Sequence, residues 1–180
     1  MQKNNGTTKK ICACGALAAL SFVLDLFAIL LNTVFPAVKL PLSALPIIVG
    51  AVFYGPLWGA AVGFVGSLLG QILSYGLTPT TLLWVLPAAV RGLSIGLLFI
   101  AFKRSMKYPV LALEISISAL MVTAVNTAVM YIDSKIYGYY SFAYVFGGLL
   151  VRVITGIAAA FVFAVIVPPI IKFLKKTLHL

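Results

Sequence analysis

Two arginines, Arg91 and Arg152, stand inside stretches that are otherwise apolar, "PAAVRGLSIGLLFIAF" (87–102) and "FGGLLVRVITGIAAAF" (146–161). A guanidinium is charged at any physiological pH and offers five donors in a planar fork. Isolated in hydrocarbon it costs at least ~2.5–3.5 kcal/mol on insertion scales, so such residues face a cavity or a partner. Its best complements are carboxylate and phosphate. The chain has three acids of its own, Asp25, Glu114 and Asp133. Two readings follow. Each arginine pairs with Asp25 or Asp133, or the guanidinium groups take an anion from outside.

Other polar side chains gather near the same ends of the apolar runs. Gln71, Ser74 and Tyr75 close one run; Thr78, Thr80, Thr81 and Trp84 open the next. Asn126, Thr127, Tyr131 and Asp133 end a third, followed by "YGYYSFAY" (137–144). Tyrosine and tryptophan at a membrane interface need no ligand to explain them. Gln71, Asn126 and Arg91 lie deeper, where that explanation stops. Together with the rings they suit a planar, polar, anionic small molecule: rings stack, amides read edges and guanidinium holds carboxylate. The candidate binding residues are Arg91, Arg152, Gln71, Tyr75, Thr80, Trp84, Asn126, Tyr131 and Lys39.

The elements that must position them are membrane helices. Of the 180 residues 63% are hydrophobic and only 9% charged, against roughly 25% charged in a soluble domain. Mean hydropathy is +1.16. Apolar runs at about 11–31, 42–54, 56–75, 82–102, 109–132 and 143–171 predict an all-α membrane protein, one domain of six transmembrane helices. Five runs are long enough to cross roughly 30 Å of hydrocarbon. The second falls short and Pro46 and Gly50 break it further, so we expect a short or irregular helix, tilted or partly buried against protein or a cavity. The first run has spanning length and no small-x-small site after it, so no cleavable signal is expected.

Charge placement sets the orientation. Lys3, Lys9 and Lys10 precede the first run, Lys103, Arg104 and Lys107 lie between the fourth and fifth, and Lys172, Lys175 and Lys176 follow the sixth. Six spans put all of these on one side, leaving Lys39 and Lys135 on the other. The positive-inside rule then makes both termini cytoplasmic. It also accounts for the net charge of +10 without nucleic acid. Along the first helix, Gly15 and Ala19, Cys12 and Ala16, and Cys14 and Ala18 are each four apart. Gly156, Ala160 and Ala164 repeat the pattern on the sixth. Small residues at this spacing let another helix approach closely, inside the bundle or on a partner subunit.

Enzyme chemistry finds no support. There is no H-E-x-x-H, G-x-S-x-G or paired acidic motif, and no G-x-x-x-x-G-K-[ST] for ATP. The only histidine is His179, and Cys12 and Cys14 lack further ligands, so no metal or cofactor is expected.

The stretch "LSALPIIVGAVFYGPLWGAAVGFVGSLLGQIL" (42–73) resembles the substrate-binding S components of energy-coupling factor (ECF) vitamin transporters. Leu45, Pro46, Gly50, Gly55, Pro56, Gly59 and Gly63 carry the resemblance, and the folate-type group is closest. The chain departs from that group at Ser67, where an aspartate is common, and at "YGLTPTTLLWVLPAAVRG" (75–92). The resemblance implies a bacterial plasma-membrane subunit that captures a vitamin-like ligand from outside. It implies closure of loops 32–42 and 76–81 and reorientation against a transmembrane coupling subunit. Two cytoplasmic ATPases would supply the hydrolysis. Gly15, Ala16, Ala18 and Ala19 would dock the coupling subunit. Pantothenate, riboflavin, cobalamin or queuosine-precursor carriers share the expected fold, and a multispanning structural or assembly protein is the non-transport alternative. Two deep arginines favour a carboxylate or phosphate ligand over neutral riboflavin or cationic thiamine.

Overall fold

The structure, a computed structural model, describes residues 5–34 and 41–178. All its elements are helices: α1 (Asn5–Val34), α2 (Ala44–Tyr54), α3 (Pro56–Tyr75), α4 (Thr81–Ala101), α5 (Tyr108–Ile136), α6 (Phe142–Phe146) and α7 (Leu149–Leu178). Five stretches are long and apolar enough to cross a membrane: Thr7–Leu31, Pro56–Tyr75, Thr81–Ala101, Tyr108–Ile136 and Phe142–Thr177. With the short α2 they make the expected six-helix membrane protein. The last run is divided. Gly147 and Gly148 interrupt it, leaving α6 as a separate turn before α7.

The second helix is short but not irregular. Its 11 residues form one unbroken α-helix. Pro46 sits in the first turn, where a missing N–H removes nothing because those donors have no intrahelical acceptor. Gly50 is an ordinary helical position whose surface meets Val62 of α3 and Leu17 of α1. Every residue from Pro46 to Val52 is buried. At 1.5 Å per residue α2 is about 16 Å long, roughly half a hydrocarbon core. It is wrapped by α1, α3, α4 and α7.

A single residue reverses the chain between α2 and α3. Gly55 has φ +103°, a left-handed conformation that disfavours a side chain, and its N–H bonds the Ala51 carbonyl at 3.0 Å. Pro56 then opens α3 at the first helical position, where its fixed φ suits a helix start. Helices α3 and α4 pack backbone to backbone. A Cβ placed on Gly92 would lie 2.1 Å from the Gly59 carbonyl group, and one on Gly63 would lie 2.3 Å from the Ala88 carbonyl oxygen. The glycines are what allow this approach. The core extends from α2 through Ile95 and Phe99 of α4, Leu111 and Ile115 of α5, and Ala160, Ala164 and Val167 of α7.

Gly92→Ala is therefore expected to overpack the α3–α4 contact by about 1–3 kcal/mol, lowering the thermal unfolding midpoint of the detergent-solubilised protein by several degrees. Gly15→Ala, where an added Cβ meets nothing within 4 Å, serves as the control and should leave the midpoint unchanged or slightly higher. Equal midpoints for the two variants would contradict the packing described.

Candidate ligand-binding site

Because α2 stops short, the half of the bundle beyond its N-terminal end is hollow. A cavity of about 710 Å³ opens there, floored by Ser43, Ile47 and Ile48 and walled by α1, α3, α4, α5 and α7, with Tyr144 of α6. The volume falls within the roughly 300–1,000 Å³ of small-molecule sites. Its lower wall is apolar, with Ile95, Ile115 and Phe163. Its upper wall is polar and includes Gln71, Trp84, Arg91, Asn126 and Arg152, five of the residues expected from sequence.

Arg91 is the eleventh of the 21 residues of α4, which holds it deep in the bundle. Its level is pinned by hydroxyls. Ser94 donates to the Arg91 carbonyl at 3.1 Å and shares a 2.6 Å hydrogen bond with Ser118 of α5. The guanidinium lines the cavity and has no hydrogen-bond acceptor among the described residues. Asp25 lines the same cavity, where its carboxylate accepts from the Ser43 hydroxyl at 3.2 Å. No ion pair within 4.0 Å joins the two charges.

Arg152 is arranged differently. It sits in the first turn of α7, and Gly156, one turn on, packs against Ala119 of α5, next to Ser118. The two arginines thus lie within about one helical turn of each other in depth. The Arg152 side chain, however, is engaged. It donates to the Val145 carbonyl at 2.6 Å and the Gly148 carbonyl at 3.3 Å, and meets the Met130 sulfur at 2.8 Å. Those contacts bridge the α6–α7 break.

Asp133 pairs with neither arginine. One carboxylate oxygen accepts from the Trp84 indole N–H at 3.1 Å, and the other accepts from the Tyr139 hydroxyl. The hydrogen bond pushes the Tyr139 phenol above its ordinary pKa, since the carboxylate favours the protonated donor. Thr80, just ahead of α4, lies beside the cavity wall rather than in it. Tyr139 meets Tyr144 edge to face at 5.3 Å. Asp133 thereby ties together the two aromatic residues, Trp84 and Tyr144, that face the cavity from different elements.

The other expected residues lie elsewhere. Tyr75 is 66% exposed and Tyr131 43% exposed, both off the cavity. Tyr131 packs edge to face on Tyr140, with the Lys135 ammonium over both rings. Lys39 falls outside the described residues, as does most of loop 32–42. Loop 76–81 is a tight turn closed by the Thr78 N–H donating to the Thr81 hydroxyl at 2.8 Å, and it does not line the cavity. Of the small residues on α1, Gly15, Ala16 and Ala19 face outward, whereas Ala18 is 3% exposed and packs against α3. Gly156, Ala160 and Ala164 pack inside the bundle, the last two fully buried. Sequence reasoning missed Ser21, Ser43, Ser118, Thr123 and Thr155 on the cavity wall. Single hydroxyls in apolar runs give no signal apart from the face they share.

The model of the family described as "ECF transporter, substrate-specific component" matches residues 9–171. A UPF0397 protein of Lactobacillus gasseri is 38% identical over 98 residues, covering 54% of this chain and 51% of that protein. A UPF0397 protein of Streptococcus agalactiae is 34% identical over 93 residues, covering 52% and 50%. The matches thus take in about half the length of these curated relatives. No solved structure matches the chain.

Asp133→Asn should replace an acceptor with a donor against the Trp84 N–H or the Tyr139 hydroxyl, at a cost of about 1–3 kcal/mol. In a Trp58→Phe background, where Trp84 is the one remaining tryptophan, the fluorescence should shift to the red and broaden. An unchanged spectrum would show that the carboxylate does not hold the ring.

Proposed function

The chain belongs to the family of ECF transporter substrate-specific components, and from that premise we propose that its cavity captures an anionic, vitamin-like small molecule, with folate-type compounds first. Membership supports reading it as a non-enzymatic membrane subunit that works with other ECF transporter subunits on a small-molecule substrate. The observation that carries the ligand reading is Arg91: a deep, half-buried guanidinium in a polar-walled cavity, with no acceptor of its own among the described residues. A carboxylate there gains charge-assisted hydrogen bonds in a setting where water competes weakly. Trp84 supplies a ring to stack on, and Gln71 and Asn126 supply amides for polar edges. Arg152 acts mainly by holding the α6–α7 junction, so Arg91 is the principal anion anchor.

The partners in this reading are a transmembrane coupling subunit and two cytoplasmic ATPases. Gly15, Ala16 and Ala19 of α1 give the smooth outward strip on which the coupling subunit packs. The lysine-rich ends face the bacterial cytoplasm, and the cavity opens toward the outside. Uptake then consists of capture, occlusion, reorientation of the bundle and release inward, with hydrolysis in the other chains.

Thermal unfolding of the detergent-solubilised protein against a panel of water-soluble vitamins tests the substrate. A ligand present at ~100 times its dissociation constant adds ~2.7 kcal/mol of stability, and the largest shift is expected from a carboxylate-bearing compound. Arg91→Ala should weaken its binding by at least ~1.5 kcal/mol, about tenfold. Absence of a shift with every carboxylated vitamin, or undiminished binding by Arg91→Ala, would remove the anion reading.

A further inference from the structure

Asp25 and Arg91 carry opposite charges into one cavity without closing on each other. The position of Asp25 is built from three elements. The Ser21 hydroxyl of α1 donates to the Ser43 carbonyl at 3.1 Å, which fixes the residue ahead of α2. The Ser43 hydroxyl then donates to Asp25 Oδ1 at 3.2 Å. The other oxygen, Oδ2, lies 2.9 Å from where a Cβ on Gly70 of α3 would stand, so it rests on the bare surface of that glycine. An ionised carboxylate has about four acceptor positions on its two oxygens, and Ser43 fills one. Such a group, removed from water, needs further donors. Arg91, the nearest cation on the cavity wall, supplies none at this distance.

We infer that Asp25 and Ser43 form a donor-reading subsite facing Arg91, and that the ligand carries adjacent N–H donors of the aminopyrimidine or amidine type beside its anionic group. A carboxylate takes such an edge through two parallel N–H···O bonds, the same fork geometry by which it takes a guanidinium. Arg91 holds the acceptor end of the same molecule. The subsite also selects by repulsion, because a ligand that is anionic over its whole length places like charge against Asp25. This inference rests on the proposal that the cavity is the ligand site and narrows the ligand from any carboxylated micronutrient to a heterocycle with a donor edge.

Two probes that share a carboxylate tail separate the possibilities: folic acid, which has an aminopyrimidine edge, and p-aminobenzoylglutamate, which lacks it. Isothermal titration of the full chain in detergent should give folic acid the tighter binding by at least about tenfold. Asp25→Asn, which keeps the shape and an acceptor for Ser43, should erase that difference by weakening folic acid alone. Equal binding of the two probes to the wild-type chain overturns the inference, and that comparison needs no variant to fold. So does an equal loss of both probes in Asp25→Asn. If neither probe binds but a carboxylate without a donor edge, such as pantothenate, does, this inference falls while the anion site stands. If nothing binds and no panel compound stabilises the protein, both fall together.

Discussion

An 11-residue helix cannot fill a bundle whose other members cross roughly 30 Å of hydrocarbon, and the site follows from that shortfall. Helix α2 fills the half of the bundle nearest Gly55 and stops at Ser43. Beyond Ser43 the remaining helices enclose space instead of another side chain stack. Backbone groups cannot be left bare in that space. The start of α2 is therefore tied by the Ser21 hydroxyl on the Ser43 carbonyl and by the Ala44 N–H on the Pro41 carbonyl at 3.0 Å. The glycines that press α3 onto α4 hold the walls rigid around the space. Rigid walls matter because a binding site gains affinity when little must be ordered on occupancy.

The charges show three different solutions to the same problem. Arg152 is satisfied by the Val145 and Gly148 carbonyls on either side of the α6–α7 break, and Asp133 by indole and phenol donors. Both are structural uses of charge, joining segments that apolar packing alone would leave loose. Arg91 and Asp25 are not satisfied in this way, and both front the cavity. Glu114 makes a third case. It is fully buried on α5 among Leu111, Ala112 and Ile115, and neither oxygen is hydrogen-bonded among the described residues.

Hydropathy made the long helices legible because a membrane span needs little more than apolar length; the run 56–75 and α3 share both ends. It also marked α2 as short and buried, though proline and glycine, weighed as breakers without regard to position, leave that helix uninterrupted. Pro46 in a first turn breaks nothing, and Gly50 is a contact surface. Charge in an apolar run also revealed Arg91 and Arg152, but composition cannot show where a long side chain is directed. Only the packing shows that, of two arginines on the cavity wall, one has no acceptor among the described residues and the other is bonded across the α6–α7 junction. Tyr75 illustrates the same limit. It shares a helix face with Gln71 four residues earlier, yet it lies at the last residue of α3, past the cavity's rim. The serines that complete the cavity wall were unreadable because a hydroxyl costs little in an apolar run.

One wall of the cavity differs in kind from the others. Helices α3 and α4 meet through backbone contacts that have no slack, and α5 and α7 pack Gly156 directly on Ala119. The wall formed by α6 is a five-residue turn between two glycines and an exposed tyrosine-rich connection. It is held by polar tethers, Arg152 on the Val145 and Gly148 carbonyls and Tyr139 on Asp133. Apolar packing in lipid has no hydrophobic drive to reseal it once opened, whereas hydrogen bonds away from water favour a definite closed geometry. Tyr144 belongs to this wall and touches the cavity, and Trp84 shares its Asp133 tether from the opposite side. The α6 side is thus the wall that rests least on apolar packing and most on polar tethers, those of Arg152 and of the Asp133–Tyr139 pair.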